Sequence, residues 1–445
     1  MGRARTSRRP LYFLTTILFS ALLAVPVHGA EKTTLTVYFQ WGNVIDTLNR
    51  AVEIFEAENP DIDVITVPAC IDCGSGYEQL LVAIAGGAPP DLVTLSGTYY
   101  LEMVEAGLIE PLTEYLNKSE IDWQSKYHPA LWESRIVRGE VYGIPAFEGG
   151  PNPGLIYNKD ILSEAGVAEP SPDEAMTWAE FAEMARKLVD YDVDGRLRRV
   201  GFYPRETGAN SLGRMALAYG VEWYDEEANV ARLDHPRLVE AMRMLKTYFY
   251  DPWGYEEVEN AVRGKGLWTN HDNSLFATGT SATLITGYWS PGELRKTMPG
   301  GNIGVTWQPN DDGLKVMSVG AWSLSILAHS RNKEAAWRLL EFLASPRATA
   351  VAFEEQGWLG GLHRDLPDYV DLTTLPATLW FVQALDSADV VRSEKPNLFG
   401  NHAGRLWNEV YDQVVSGKGD PEPLLSEANR VLNEIIAEEL ARRAE

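Results

Sequence analysis

Between Leu35 and Leu95 the chain alternates short β-rich runs with apolar residues at helical spacing, and this alternation constrains the fold more than any other feature. Residues 35–39 read as a strand ending before Gln40-Trp41-Gly42. Ile45, Leu48, Val52 and Phe55 recur at helical spacing, and Asn59-Pro60 stops that helix. Residues 62–67 read as a second strand. Residues 77–85 read as a helix with Leu80, Leu81 and Ile84 on one side, stopped by Gly86-Gly87, and residues 91–95 as a third, buried strand. This β-α-β-α-β order predicts a parallel sheet covered by helices.

Farther along, residues 141–145 predict a short strand. Residues 155–158 predict another, after a Gly/Pro-rich loop at 149–154, and residues 283–285 and 321–327 predict buried strands. Thr177-Trp178-Ala179-Glu180 fits a capping box, opening a helix with Phe181, Met184, Ala185 and Leu188 on one face. A helix is predicted at 334–343, and a last one from Asp420-Pro421 with Ala428, Val431, Leu432, Ile435 and Ile436 as its stripe. Trp178 and Trp337 fall inside amphipathic helices and are assigned to packing.

With 445 residues, the chain is long enough for two or three domains. Its formal charge is −24, from 39 basic and 63 acidic residues. Four of the arginines lie in the first 29 residues, which hold no acid, so the remainder carries −28. Such a surface repels nucleic acid and anionic lipid, which excludes both as expected partners.

The N-terminus has the layout of a secretory signal peptide over residues 1–29. Arg3, Arg5, Arg8 and Arg9 form a basic region, residues 11–25 an apolar stretch, and Gly29 and Ala30 supply small residues for cleavage. The apolar run is shorter than the ~18–20 residues of a spanning helix. Ser7-Arg8-Arg9 hints at a twin-arginine signal, continued poorly by Pro10-Leu11-Tyr12. Export to the periplasm is the expectation. The two cysteines, Cys70 and Cys73, then meet an oxidising compartment, where a short-range disulfide is expected. A thioredoxin-like redox site is the alternative, but Pro68 and Gly74-Ser75-Gly76 make the surroundings read as a loop.

Several further stretches are ordered along the chain in a specific way. They are residues 55–60 (FEAENP), 85–93 (AGGAPPDLV), 142–145 (YGIP), 155–160 (LIYNKD), 177–181 (TWAEF), 276–279 (FATG), 287–289 (GYW) and 333–337 (KEAAW). Taken in order, they resemble the periplasmic solute-binding proteins of ABC importers, specifically the maltose-binding-protein-like carbohydrate group (family 1), over roughly residues 33–440. The resemblance implies an α/β, two-lobed periplasmic-binding-protein fold (type II). Each lobe would be a mixed sheet flanked by helices, with a hinge between lobes and ligand in the cleft. Mapped here, the first lobe would span 31–146 plus 320–366 and the second 147–319 plus 367–445. The implied function is binding a mono- or oligosaccharide and delivering it to a membrane permease, by a monomer without a cofactor.

A carbohydrate ligand needs aromatic rings for its apolar C–H faces and polar groups for its hydroxyls. The chain has 14 Trp and 19 Tyr, so such rings are in supply. Trp41 follows the first strand, where open α/β sheets place ligands. Tyr99 follows Ser96-Gly97-Thr98 beyond the third strand. Trp322 comes shortly after Gly320 at the implied lobe crossing, and Trp358 lies among small residues. The resemblance implies ligand roles for Trp41, for Trp289 as the stacking residue of the Gly-Tyr-Trp motif, and for Glu148 as an acceptor of sugar hydroxyls. Residues 399–405 resemble the Gly-Asn-rich segment of glycerol-phosphate binders in the same group, which adds Asn401 and Arg405 as candidates.

Asp190, Asp192, Asp194 and Gly195 match the first half of a calcium loop, a weak metal candidate whose twelfth position is Gly201 instead of glutamate. No H-E-x-x-H, G-x-S-x-G or phosphate-loop motif occurs, and no catalytic residue is assigned. A receptor for a polyol or sugar phosphate is the main alternative. An exported glycan hydrolase or lectin is the remote one.

Overall fold

The computed structural model describes residues 32–71, 74–393 and 397–444. Two sheets organise the chain. The first contains β1 (Thr33–Phe39), β2 (Ile62–Pro68), β3 (Leu92–Leu95), β4 (Ile144–Asn152), β10 (Val316–Ile326) and β11 (Val390–Ser393). The second contains β5 (Gly154–Asn158), β6 (Asp190–Tyr191), β7 (Leu197–Phe202), β8 (Ser281–Thr286) and β9 (Ile303–Trp307).

In the first sheet β1 lies between β2 and β3, parallel to both, as the opening alternation predicts. The return strand β10 then pairs antiparallel with β3 and with β4, and parallel with β11. Leu35, Val37, Leu92, Leu324 and Ile326 face helices Ile45–Glu58 and Lys333–Leu343, which bury Leu48, Val52, Phe55, Leu340 and Leu343. Each such side chain contributes roughly 1.5–3 kcal/mol by leaving water.

The second sheet has the order β9-β5-β8-β7-β6, mixed in direction. Helices Trp178–Lys187, Pro236–Phe249 and Gly400–Val415 pack against it. The capping box is formed: Glu180 Oε2 accepts from Thr177 N at 2.8 Å, and Thr177 Oγ1 accepts from Glu180 N at 3.2 Å. Trp178 and Trp337 are buried, as their helical positions require.

The two sheets are joined where β4 runs into β5 and where β9 returns to β10. Here the chain departs from expectation. Of residues 149–154, predicted as a loop, all but Pro153 are strand: Gly149, Gly150, Pro151 and Asn152 pair with Ala321, Gly320, Val319 and Ser318. The glycines serve close packing. A Cβ on Gly150 would lie 2.7 Å from the Tyr288 ring.

The signal-peptide reading and Cys73 lie outside the described residues. Cys70 is disulfide-bonded, and Cys73 is the only other cysteine in the sequence. The residues of the calcium-loop candidate are engaged within the protein. Asp190 is engaged by Arg198 and Arg199, and Asp192 Oδ1 accepts from Asp194 N and Arg196 N, closing a turn. Among the described residues, no group of three His, Cys, Asp or Glu could hold a metal ion. No helix among them is long and apolar enough to cross a membrane.

Candidate ligand cleft

A cleft of about 1410 Å³ lies between the two sheets, lined from both sides. Its first-sheet wall is built at an irregularity in the β4–β10 ladder. Pro145 faces Ser323 and Gly149 faces Ala321, so Ala146, Phe147 and Glu148 stand opposite Trp322 alone. Such a bulge turns side chains out of the regular alternation. Trp322 is half-buried while its neighbours Ala321 and Ser323 are buried, and Glu148 is half-buried in the same stretch. Phe147 takes φ 62°, a conformation non-glycine residues rarely adopt, at the point where the slip occurs.

Trp41, just past the end of β1, packs edge-on to Trp322 with ring centroids 4.7 Å apart and tilted to Trp358 at 4.9 Å. The three rings form one aromatic surface on the cleft wall. Trp358 is its anchor, 3% exposed, and Trp41 and Trp322 are its accessible part. Deeper in, Arg135 is buried with its guanidinium over the Tyr100 ring and Nη1 3.1 Å from Ser323 Oγ.

The opposite wall carries Trp289 at the start of helix Ser290–Thr297. Gly287 makes room for it: a Cβ there would lie 2.0 Å from the Trp289 ring. Tyr288, fully buried, donates to Glu148 Oε1 at 2.6 Å and accepts from Gly149 N. Burial, and then the Glu148 charge, hold the Tyr288 phenol proton on well above its usual range. The pair ties the second-sheet wall to β4 and orients Glu148.

Six of the residues singled out from sequence therefore meet in the cleft: Trp41, Glu148, Trp289, Gly320, Trp322 and Trp358. Three do not line it. Tyr99 lies on helix Gly97–Glu105 and packs its ring on Tyr77, with centroids 4.5 Å apart, while Ser96 and Gly97 reach the cleft. Asn401 and Arg405 lie on the exposed face of helix Gly400–Val415, where Arg405 pairs with Glu409 at 2.7 Å. The helical period explains the correction: Ala403, Leu406, Trp407 and Val410 take the inward face and leave 401 and 405 outside. Just ahead of that segment, Asn397 lines the cleft.

Sequence reasoning missed Trp223, Tyr224, Trp268 and Asn270, which also line the cleft. Trp268 is 48% exposed just before the polar stretch 269–273, and a tryptophan so placed has no helical or strand face to fill. Trp223 and Tyr224 open a short hairpin of residues 224–225 and 230–231, a feature too brief for periodicity to reveal.

The arrangement supplies aromatic faces, carboxylates, amides and arginines around one enclosed volume, as a polyhydroxylated ligand with apolar faces requires. Residues 41–350 match the model of the bacterial extracellular solute-binding proteins. The chain belongs to this family. A maltotriose-binding protein of Pyrococcus abyssi is 24% identical over 89% of this chain and 77% of that one. The mannotriose-bound structure of CpMnBP1 superposes with a TM-score of 0.78 at 22% identity, covering 90% of this chain and all of that one. The sugar-binding protein MalE of Xanthomonas citri gives 0.74 at 23% identity, covering 93% of this chain and all of that one. The family's two-lobed fold is thus the fold of this chain, with the cleft between its lobes.

Proposed function

We propose that this protein is the exported, substrate-binding component of an ABC importer, which binds a carbohydrate in the inter-lobe cleft and delivers it to a membrane permease. The observation that carries this reading is the pairing of aromatic walls, Trp41, Trp322 and Trp358 facing Trp289, with Glu148 held between them by Tyr288. Rings cover the C–H faces of a pyranose while the carboxylate accepts its hydroxyls. Several family relatives are sugar binders by name, which supports the same class. We take the lobes to exchange chain near residue 153 and between residues 307 and 316, instead of at the expected 146 and 320, because 149–152 pair with 318–321 inside the first sheet, to which Val390–Ser393 also returns. We take the receptor to act as a monomer in the periplasm that closes around its ligand.

A thermal-shift screen of the mature protein against sugars, polyols and sugar phosphates tests the reading. A ligand at 100 times its Kd stabilises the fold by ~2.7 kcal/mol. Stabilisation by a neutral saccharide is expected. Response to phosphorylated solutes alone would favour the sugar-phosphate receptor instead, with Arg135, Arg214 and Arg392 in the cleft as its anion partners. Release of product from a glycoside would point to a hydrolase.

A further inference from the structure

Glu293 is not part of any motif, yet the cleft wall is built around it. Trp289 has helical backbone angles, φ −73° and ψ −31°, so Trp289 and Glu293 stand one turn apart on one face of helix Ser290–Thr297. Both line the cleft, next to Trp268 and Asn270. Behind Glu293 runs a chain of three hydroxyls, Thr269, Ser290 and Thr286, all fully buried. Thr269 Oγ1 donates a short hydrogen bond to Glu293 Oε2. It also lies 2.9 Å from Ser290 Oγ, which in turn lies 2.7 Å from Thr286 Oγ1.

A carboxylate only accepts, and Thr269 Oγ1, the hydroxyl that donates to Glu293 Oε2, is held in place by its contact with the buried Ser290 and Thr286 hydroxyls. The effect is to fix one carboxylate oxygen from inside the protein. Among the described residues no group donates to the other oxygen, Oε1, and Glu293 is half-buried at the cleft surface. Buried hydroxyl networks that end on one oxygen of a cleft carboxylate position the remaining oxygen for a ligand.

We propose that Glu293 is a ligand-contacting, specificity-determining residue of the cleft, whose Oε1 accepts a hydrogen bond from a ligand hydroxyl beside the Trp289 ring. This rests on the carbohydrate-receptor reading and adds to it a pH dependence. Burial raises the Glu293 carboxyl to about 7, against the opposing pull of the Thr269 bond and the Lys296 charge. The charged and titratable groups around it are Lys296 and Arg295 on its own helix and Tyr288 just before it. Glu355 of helix Pro346–Gln356 acts on Lys296, His271 comes from the loop that carries Thr269, and Glu148 is reached through Tyr288.

A ligand that needs the ionised carboxylate binds more tightly as pH rises through 7. Going from pH 6 to pH 8 raises the ionised fraction, and with it the affinity, about tenfold. Binding also releases protons in that range.

Two measurements test this. In ligand-free protein, the carboxyl resonance of Glu293, assigned by its loss in Glu293→Gln, is followed between pH 4 and 9. A midpoint near 7 is expected, and a midpoint in the ordinary glutamate range overturns the proposal. In parallel, calorimetric affinities for the best saccharide of the screen are measured at pH 6, 7 and 8. The wild type should show the tenfold rise. Glu293→Gln should be flat and about tenfold weaker at pH 8. His271→Gln should keep the rise, since a histidine is the ordinary source of titration near neutrality. A Glu293→Gln variant with wild-type affinity and pH profile overturns the ligand role, as does loss of the rise in His271→Gln. Absence of binding by every saccharide at every pH would instead overturn the receptor reading on which the proposal rests, and the ligand-free titration separates the two failures.

Discussion

Trp322 shows how a single residue is committed to the cleft by its surroundings. It is flanked in sequence by buried Ala321 and Ser323, and the slip in the ladder alone brings it to the surface. Because it is half-buried, truncation should harm the ligand more than the fold. Trp322→Ala should weaken saccharide binding by about 2 kcal/mol, roughly thirtyfold in Kd, and an unchanged calorimetric Kd would remove Trp322 from the ligand's surroundings. Glu206 is the opposite case, a carboxyl sealed in the second lobe. Its Oε1 accepts from Phe276 N at 2.9 Å, and burial pushes it up to about 8. The folded state then holds a proton that the unfolded chain, at 4.5, releases earlier. Stability from this group is complete below about pH 4.5 and is lost as pH rises toward 8. The loss is on the order of 4 kcal/mol. Urea unfolding at pH 5 and pH 8.5 should show this decline in the wild type and a much smaller one in Glu206→Gln. Equal declines would show that Glu206 is not the source.

Among the elements, helix Ser290–Thr297 has the tightest constraint. It packs so closely on the end of helix Pro346–Gln356 that a Cβ on Gly292 would lie 2.0 Å from the Gln356 carbonyl oxygen. Gly292→Ala forces the helix away and should cost about 1–3 kcal/mol in unfolding free energy. Trp289 and Glu293 ride on that helix, so ligand affinity should fall with it, whereas a Gly292→Ala protein of unchanged melting temperature and Kd would contradict the packing. This element also marks what was readable beforehand. Local periodicity gave the strands β1 to β3 and the helices carrying Trp178 and Trp337, because one buried face leaves its imprint on consecutive residues. The Gly-Tyr-Trp motif located Trp289. Which loop residues enter the cleft is decided by partners far away in sequence. The slip opposite Trp322, the Glu293 hydroxyl chain and the hairpin with Trp223 have no local signature, and the helical period that turns Asn401 and Arg405 to the exposed face is masked by the Gly-Asn-rich start of their helix.

At the scale of the molecule, two lobes are joined along β4 and β10, and the cleft opens between them. A ligand that touches Trp322 on one side and Trp289 on the other favours the closed arrangement by its contacts to both walls. Saturating saccharide should therefore reduce the radius of gyration in X-ray scattering, and an unchanged value would show that binding occurs without closure. The strand that completes the first lobe carries a different consequence. Leu92–Leu95 of β3 waits for β10, which begins only at Val316, after every strand of the second sheet has appeared by Trp307. A chain made N-terminus first can thus pair every strand of the second sheet before β3 meets its partner, with helix Gly400–Val415 still to dock on that sheet. Until then the first lobe is three strands with a bare apolar edge, a state that pairs slowly and stays threadable. Pulse-labelled hydrogen exchange during refolding should find amides of β5 and β8 protected ahead of those of β3, and the reverse order would show that the early strands find their partner without waiting.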